Sequence, residues 1–393
     1  MGLRPVSRRV VFLTGTRADF GKLKPLMRAV DGCPFLEGAL FVTGMHMLSR
    51  YGLTIDEIIT AGFTRIHAFM NQFHGEPSEH ILANTVTGLS RYVQEYQPDM
   101  IVVHGDRIET LAGAIVGALR NVLVAHIEGG EVSGTIDETI RHAVSKLAHL
   151  HFVANQSAAE RLWQLGERPE SIHVIGSPDI DVMLSHDLPD LESVRSHYGI
   201  RWPAYGIVLF HPVTTEAHAQ DRAAAELVSA LVHSALDYVV IYPNNDPGSD
   251  CILERYAALD GDSRFKLLPS MRFESFLTLL RHALVVVGNS SAGIREAPVF
   301  GVPTVNIGSR QRNRFHYESI LDVPDDRAAI GEAIARACRI ESVRPSRFFG
   351  DGHSAPRFLR ALSDIMVWET PRQKQLCNID AVPALALLRE ALP

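Results

Sequence analysis

The 393 residues are 46% hydrophobic and 21% charged, an ordinary globular composition, and they are too many for one small core, so two domains are expected. A formal net charge of −7 excludes the broad basic surface that nucleic acid or an anionic membrane would need, and no apolar run is long enough to span a bilayer. The cysteines, Cys33, Cys251, Cys338 and Cys377, form no CxxC pair and the charged opening stretch lacks a signal-peptide cleavage site, which predicts a reducing, cytoplasmic setting.

From the N-terminus, five short runs read as strands: "RVVFLTG" (Arg9–Gly15), "GALFVTG" (Gly38–Gly44), "DMIVVHGD" (Asp99–Asp106), "NVLVAHIEGG" (Asn121–Gly130) and "LHFVAN" (Leu150–Asn155). Each is apolar throughout instead of alternating, as parallel strands covered on both faces require. Helical stretches such as "FGKLKPLMRAV" and "ETLAGAIVGALR" fall between them, giving βα units. The pattern restarts with "GIVLFHP" (Gly206–Pro212), "YVVIYPNND" (Tyr238–Asp246), "RFKLLPS" (Arg264–Ser270), "LVVVGNSS" (Leu284–Ser291) and "VPTVNIG" (Val302–Gly308). An Asp-, Pro- and Ser-rich stretch, "IGSPDIDVMLSHDLPDLESV", separates the halves and reads as a hinge. The expected fold is α/β: a Rossmann-like domain over 1–180, a second over 200–365, and a weakly periodic tail of unknown role over 366–393. Strand C-terminal ends, where open α/β sheets bind ligands, would face one another across a cleft.

The polar residues gather at those ends. After the fourth strand run, His126, Glu128 and Glu131 stand in a Gly-rich loop with no apolar task. Thr135 and Glu138 have capping-box spacing for a helix from Ile136, whose buried face is Ile140, Ala143, Val144 and Leu147. Asp137 lies in its first turn, while Glu138 pairs with Arg141 or His142 on the surface. His149 and His151 are read as structural. His126-x-Glu128 echoes a zinc deaminase motif, but the P-C-x-x-C partner and any H-E-x-x-H are missing, so proton-exchanging carboxylates are the better reading and no metal set is assigned.

"HGDRIET" supplies Asp106 and Arg107, and "GTRADFGKL" supplies Arg17, Asp19 and Lys22. In the second half, "GNSSAGIREAPVFG" is a strand, a small-residue turn and a helix start. Its free N–H groups and the Ser290 and Ser291 hydroxyls make an anion cradle, with Glu296 placed to accept from ribose hydroxyls. "HPVTTE", "PNND" and "GSRQRNR" add further polar groups directly after strands.

Taken in order, "GTRADFGKL", "HGDRIETLA", "HIEGGEVSGTIDETIRHAVSKLAH", "HPVTTE", "GNSSAGIREAPVFGVPTVNIGSRQ" and "GDGHSAPR" resemble the hydrolysing UDP-N-acetylglucosamine 2-epimerases of sialic- and legionaminic-acid biosynthesis across nearly the whole chain. Non-hydrolysing relatives read "GTRPE" and "VEAGLR" where this chain has "GTRAD" and "IEGGEV". One departure is Gly21, where the animal enzyme has Ser. The resemblance implies a two-domain fold of the glycosyltransferase B type, with the nucleotide on the second domain, no cofactor, and a UDP-sugar substrate. It also implies a homo-oligomer, a dimer or tetramer. Carried over by motif, Arg17, Arg107, His211, Asn244, Ser290, Ser291, Glu296 and Arg310 become UDP and diphosphate contacts. Asp106, Glu128, Glu131 and Asp137 become acid/base candidates, with His126 nearby. The implied reaction removes the C2 proton, expels UDP to give a 2-acetamidoglucal, and hydrates it at C1. UDP-N,N′-diacetylbacillosamine is the alternative substrate. A glycosyltransferase and a non-catalytic nucleotide-sugar sensor are the competing classes.

Overall fold

The computed structural model describes residues 7–244 and 246–377; Asn245 of the "PNND" stretch and the tail beyond Cys377 lie outside the described residues. Two all-parallel sheets account for the two strand sets. The first runs β1 (Arg8–Thr14), β2 (Leu36–Val42), β3 (Ile66–Ala68), β4 (Met100–His104), β5 (Leu123–Ile127), β6 (Leu150–Val153) and β7 (Ile172–Val174), in spatial order β3-β2-β1-β4-β5-β6-β7. The second holds β8 (Gly206–Leu209), β9 (Tyr238–Ile241), β10 (Phe265–Leu268), β11 (Val285–Gly288), β12 (Thr304–Ile307) and β13 (Ile320–Val323), ordered β10-β9-β8-β11-β12-β13. Three edge strands, β3, β7 and β13, were not expected. Each is short and partly exposed, so none carries the unbroken apolar run that marks the central strands.

Alternating residues of each strand feed two cores, one per sheet face. In β1, Val10 and Phe12 join Leu40, Val102 and Leu123 on one side, while Val11 and Leu13 join Phe41, Val103 and Val124 on the other. The second sheet does the same, with Ile207 and Val286 on one face and Val208, Val240 and Val287 on the other. Both orders reverse direction once, between β1 and β4 and between β8 and β11. Helices leaving such a pair diverge to opposite faces and open a crevice at the strand C-termini.

The domain limits need correcting at both joins. The stretch read as a hinge forms helices at Pro178–Leu184 and Leu191–Tyr198, and Ile180, Met183 and Val194 enter the second-domain core. At the other end the chain returns: Phe358, Leu362, Val367 and Trp368 are buried in the first-domain core. Asp181 accepts from the Ser354 and Ala355 N–H groups at 2.9 and 2.8 Å, starting the Ser354–Leu362 helix. The two crossings lie side by side, joined by Ser177 N–H to Phe349 C=O at 2.7 Å. The described part of the tail is a strap on the first domain, where Lys374 donates to the Ser145 and Ala148 carbonyls at 2.8 and 2.6 Å.

Candidate active site

Where the two crevices meet, a cavity of about 650 Å³ is lined by both domains. Every predicted site residue except His126 and Glu131 lines it, and Lys22, His104, Arg141 and Arg314 join them. The domains are in contact around this space. Arg17 donates to Ser270 at 2.8 Å, Lys22 pairs with Glu296 at 2.7 Å, and Gly134 N–H reaches Arg310 C=O at 2.9 Å. Glycine is required at two of these approaches: a Cβ on Gly21 would overlap Phe273, and one on Gly134 would overlap the Ser309 carbonyl oxygen. The absence of a hydroxyl at Gly21 therefore has a steric reason, since the first helix, Arg17–Asp31, lies directly on the Phe273–Arg281 helix of the other domain.

On the first-domain side, Thr16 and Asp19 close a reciprocal capping box, which starts the Arg17–Asp31 helix and leaves Arg17 to project toward Glu57, 2.7 Å away. Asp106 follows β4 and is held by Arg141. Burial pushes its carboxyl up, but Arg141, Arg314 and Arg310 outweigh that and bring it below its ordinary value. Arg107 stands at the cap of the next helix, 3.4 Å from Glu109 and 4.0 Å from Asp246. Glu128 ends β5 in a left-handed conformation, φ 65°, uncommon for a residue with a side chain. That backbone turn brings its carboxylate to Ser177 Oγ (2.6 Å), Arg295 (2.6 Å) and His104 Nε2 (3.3 Å). Burial would raise its pKa; Arg295, then His104 and Lys22, prevail and hold it well below the usual carboxylate range. Asp137 differs. Burial and the nearby Asp106 push its carboxyl up, against Arg310 at 3.2 Å.

Three expectations fail here. His126 is fully buried outside the cavity, with Nε2 2.8 Å from Gly105 C=O and Nδ1 3.1 Å from Ser145 Oγ. Burial pushes its pKa down to about 3, so it is a neutral brace beneath the Gly105 turn and not an acid/base group. Glu131 also lies outside the cavity, bound by Arg295, Arg314 (3.2 Å) and Arg141 (3.7 Å), with no face left for a substrate. Thr135 does start a helix, but its hydroxyl accepts from Asp137 N–H and Glu138 accepts from Ser133 N–H, so the box is not reciprocal. Glu138 pairs with His142 at 3.7 Å, while Arg141 turns inward to Asp106. His149 and His151 sit in buried hydrogen bonds to Arg372 C=O and Glu167, both at 3.0 Å.

The second-domain side carries neutral donors, the carboxylates Asp246 and Glu296, and two arginines, Arg310 and Arg314. His211 Nδ1 accepts from Asn244 N–H at 3.2 Å, which puts the ring proton on Nε2. Burial, reinforced by Arg310 and Arg107, holds this imidazole well below its ordinary pKa, so it is a neutral donor. Ser290 caps the short Ser291–Arg295 helix and, with Ser291, faces the cavity. Arg310 is braced by Asn289 C=O at 3.3 Å. Glu296 gives one oxygen to Lys22, while its buried Oε2 has no protein partner, so it is free to accept from a ligand hydroxyl. Among the described residues no His, Cys, Asp and Glu cluster is arranged to hold a metal, and no helix is long and apolar enough to cross a membrane.

His104 and Arg295 were missed as site residues. His104 opens the same "HGDRIET" motif that supplied Asp106, so its strand-end position was the available signal. Arg295 has none, because it ends a short helix away from any strand end and acts across the domain boundary.

Facing parallel sheets whose walls both carry cations, hydroxyls and carboxylates form a cleft suited to an anionic, hydroxyl-bearing ligand. Comparison narrows this: the chain belongs to the UDP-N-acetylglucosamine 2-epimerase family, whose model matches residues 28–363. It is 47% identical to the UDP-N-acetylglucosamine 2-epimerase of Neisseria meningitidis serogroup B, over 95% of this chain and 100% of that one. It is 30% identical to the UDP-N,N′-diacetylbacillosamine 2-epimerase (hydrolyzing) of Legionella pneumophila, over 94% and 98%. The fold is shared with the Methanocaldococcus jannaschii UDP-GlcNAc 2-epimerase solved with UDP-GlcNAc and UDP. The TM-score is 0.78 at 19% identity, covering 90% of this chain and 99% of that one.

Proposed function

We propose that this chain is a hydrolysing 2-epimerase that converts UDP-N-acetylglucosamine to UDP and free N-acetylmannosamine. The observation that carries this reading is the pairing of two differently tuned carboxyls, Glu128 and Asp137, with His211, Ser290, Ser291 and Arg310 across one cavity. Inversion at C2 needs an ionised carboxylate to take the proton on one face and a protonated one to return it on the other. Glu128, held ionised, takes the C2 proton, and Asp137, whose pKa is raised, returns it. C2–H is weakly acidic, so departure of the diphosphate from C1 must lead. His211 Nε2–H, the Ser290 and Ser291 hydroxyls and Arg310 stabilise that leaving group inside a dry cleft. The ionised Asp106 and Glu128 stabilise positive charge developing at C1. Water then adds to C1 of the 2-acetamidoglucal, and the product leaves as free sugar. The unpartnered Glu296 Oε2 accepts from the ribose.

The test is incubation with UDP-N-acetylglucosamine, and separately UDP-N,N′-diacetylbacillosamine, in D₂O with NMR detection. The expected product is a free 2-epimerised sugar with one deuterium at C2, formed first as one anomer. Identity to the Neisseria relative favours the first substrate; faster turnover of the second would select the alternative. An intact UDP-linked 2-epimer at equilibrium with substrate overturns the hydrolytic reading, and turnover that depends on an added acceptor makes the chain a transferase.

A further inference from the structure

Arg295 is fully buried, yet it belongs to the second domain and spends its guanidinium on the first. One terminal nitrogen bonds Glu128 Oε1 at 2.6 Å and Ser177 Oγ at 2.5 Å, and lies 3.8 Å from Asp179. The other bonds Glu131. The Phe349 ring lies 4.6 Å from the guanidinium carbon, so the group is stacked as well as bonded. Arg295 ends the same one-turn helix whose start presents Ser290 and Ser291 to the cavity. Five residues of helix are a rigid link of about 7 Å. A ligand held at its start and a carboxylate held at its end are therefore mechanically joined.

We infer that Arg295 is a positioning residue through which the nucleotide-holding domain sets the orientation and charge of Glu128. Glu128 sits in a left-handed backbone conformation that its own loop does not favour, and Arg295 with Ser177 supplies the bonds that hold it there. Other charged or titratable groups also face Glu128: His104 from the end of β4, Lys22 from the first helix, and Glu131 and Asp106 from the neighbouring loops. Among the described residues, only Arg295 both bonds it and comes from the opposite domain. Without this cation Glu128 keeps only Ser177, His104 and Lys22 beside it, so its ionised form and its orientation are held less firmly.

This inference rests on the proposed role of Glu128, and the readout is exchange of the C2 hydrogen with D₂O, which both hydrolysing and non-hydrolysing epimerases catalyse. Arg295→Lys should lower the exchange rate about tenfold or more and move the acid limb of its pH profile upward by roughly one unit, as expected when a neighbouring cation is weakened. UDP affinity should stay within about threefold, as expected when the lost interaction is not with the nucleotide. Arg295→Met takes one cation from two buried carboxylates, leaving Glu131 to Arg314 and Arg141 and Glu128 to Ser177 and His104, and is expected to melt early. The double variant Arg295→Met with Glu131→Gln removes one charge of each sign and should recover the melting temperature without recovering exchange. An acid limb unmoved in Arg295→Lys, or full recovery of exchange in the double variant, overturns the inference. Absence of free sugar from the unmodified protein, with normal C2 exchange, overturns the hydrolytic reading alone.

Discussion

The two walls of the cleft are built from the same strand-turn-helix unit but carry different mixtures of groups. The first-domain wall holds carboxylates among the cations Arg17, Lys22, Arg107 and Arg141, and three are each tuned by a different neighbour: Asp106 by Arg141, Glu128 by Arg295, Asp137 by burial and Asp106. The second-domain wall holds a neutral imidazole, the Ser290 and Ser291 hydroxyls, Arg310 and Arg314, with Glu296 and Asp246 as its carboxylates. A parallel sheet offers only a geometry, namely strand ends and helix starts. What each wall does depends on whether the strand ends carry acids that exchange protons or donors that receive a departing anion.

The largest expected effect breaks the walls apart kinetically. Asp137→Asn should lower kcat by about 10²-fold or more, as for lost acid–base catalysis, with UDP affinity within about threefold of the starting value. Arg310→Ala should weaken UDP binding by about 1.5–3 kcal/mol, the range for a hydrogen bond to a charged group. Because Arg310 also touches Asp137, it should lower kcat as well. Calorimetry with UDP and sugar release by NMR measure both arms. Equal effects of the two substitutions on binding would erase the division of labour.

A second effect concerns how closely the walls approach. Gly21→Ser puts a side chain into Phe273, an overpacking that should cost about 1–3 kcal/mol of stability. Phe273→Gly in the same chain removes the Cβ that the new side chain meets first, so the two losses should be less than additive in denaturant melts. Additive losses would mean that the helices do not meet as described.

The smallest effect separates a brace from a catalyst. His126 has a folded pKa near 3, whereas an unfolded histidine titrates near 6.5. As pH falls below 6.5 the unfolded chain binds a proton that the folded one refuses, so stability declines by about 1.4 kcal/mol per pH unit for this group until the folded pKa is reached. His126→Gln should remove that contribution, flattening the acid limb of stability measured by urea unfolding at pH 6 and pH 5. An unchanged slope would show that His126 is not buried neutral.

How much of this was legible follows from particular residues. Asp106, His211 and Ser290 were read as cavity residues because they follow apolar strands, and Asp137 because it stands in a first helical turn after a Gly-rich loop; strand ends and helix starts are visible in one dimension. His126, Glu128 and Glu131 were grouped together because they follow one apolar strand run in a Gly-rich loop. The positive φ of Glu128 separates them, with the glutamate lining the cavity and the histidine buried outside it, and no residue type announced it. The edge strands β3, β7 and β13 were missed for want of an apolar run, and the returning C-terminal helices because a packing partner more than 300 residues earlier leaves no periodic trace.

By itself the sequence determined the order of strands and helices, the parallel character of both sheets, and which polar residues stand at strand ends. These properties are local, set by apolar runs and turn chemistry within a few residues. The tertiary structure decided which carboxylates stay ionised, which one carries a raised pKa, and which are sealed from the cleft. Those properties depend on charges and burial contributed from elsewhere in the chain. Arg295 reaches Glu128 across 167 residues of sequence, at a distance of 2.6 Å that only the closed pair of domains creates.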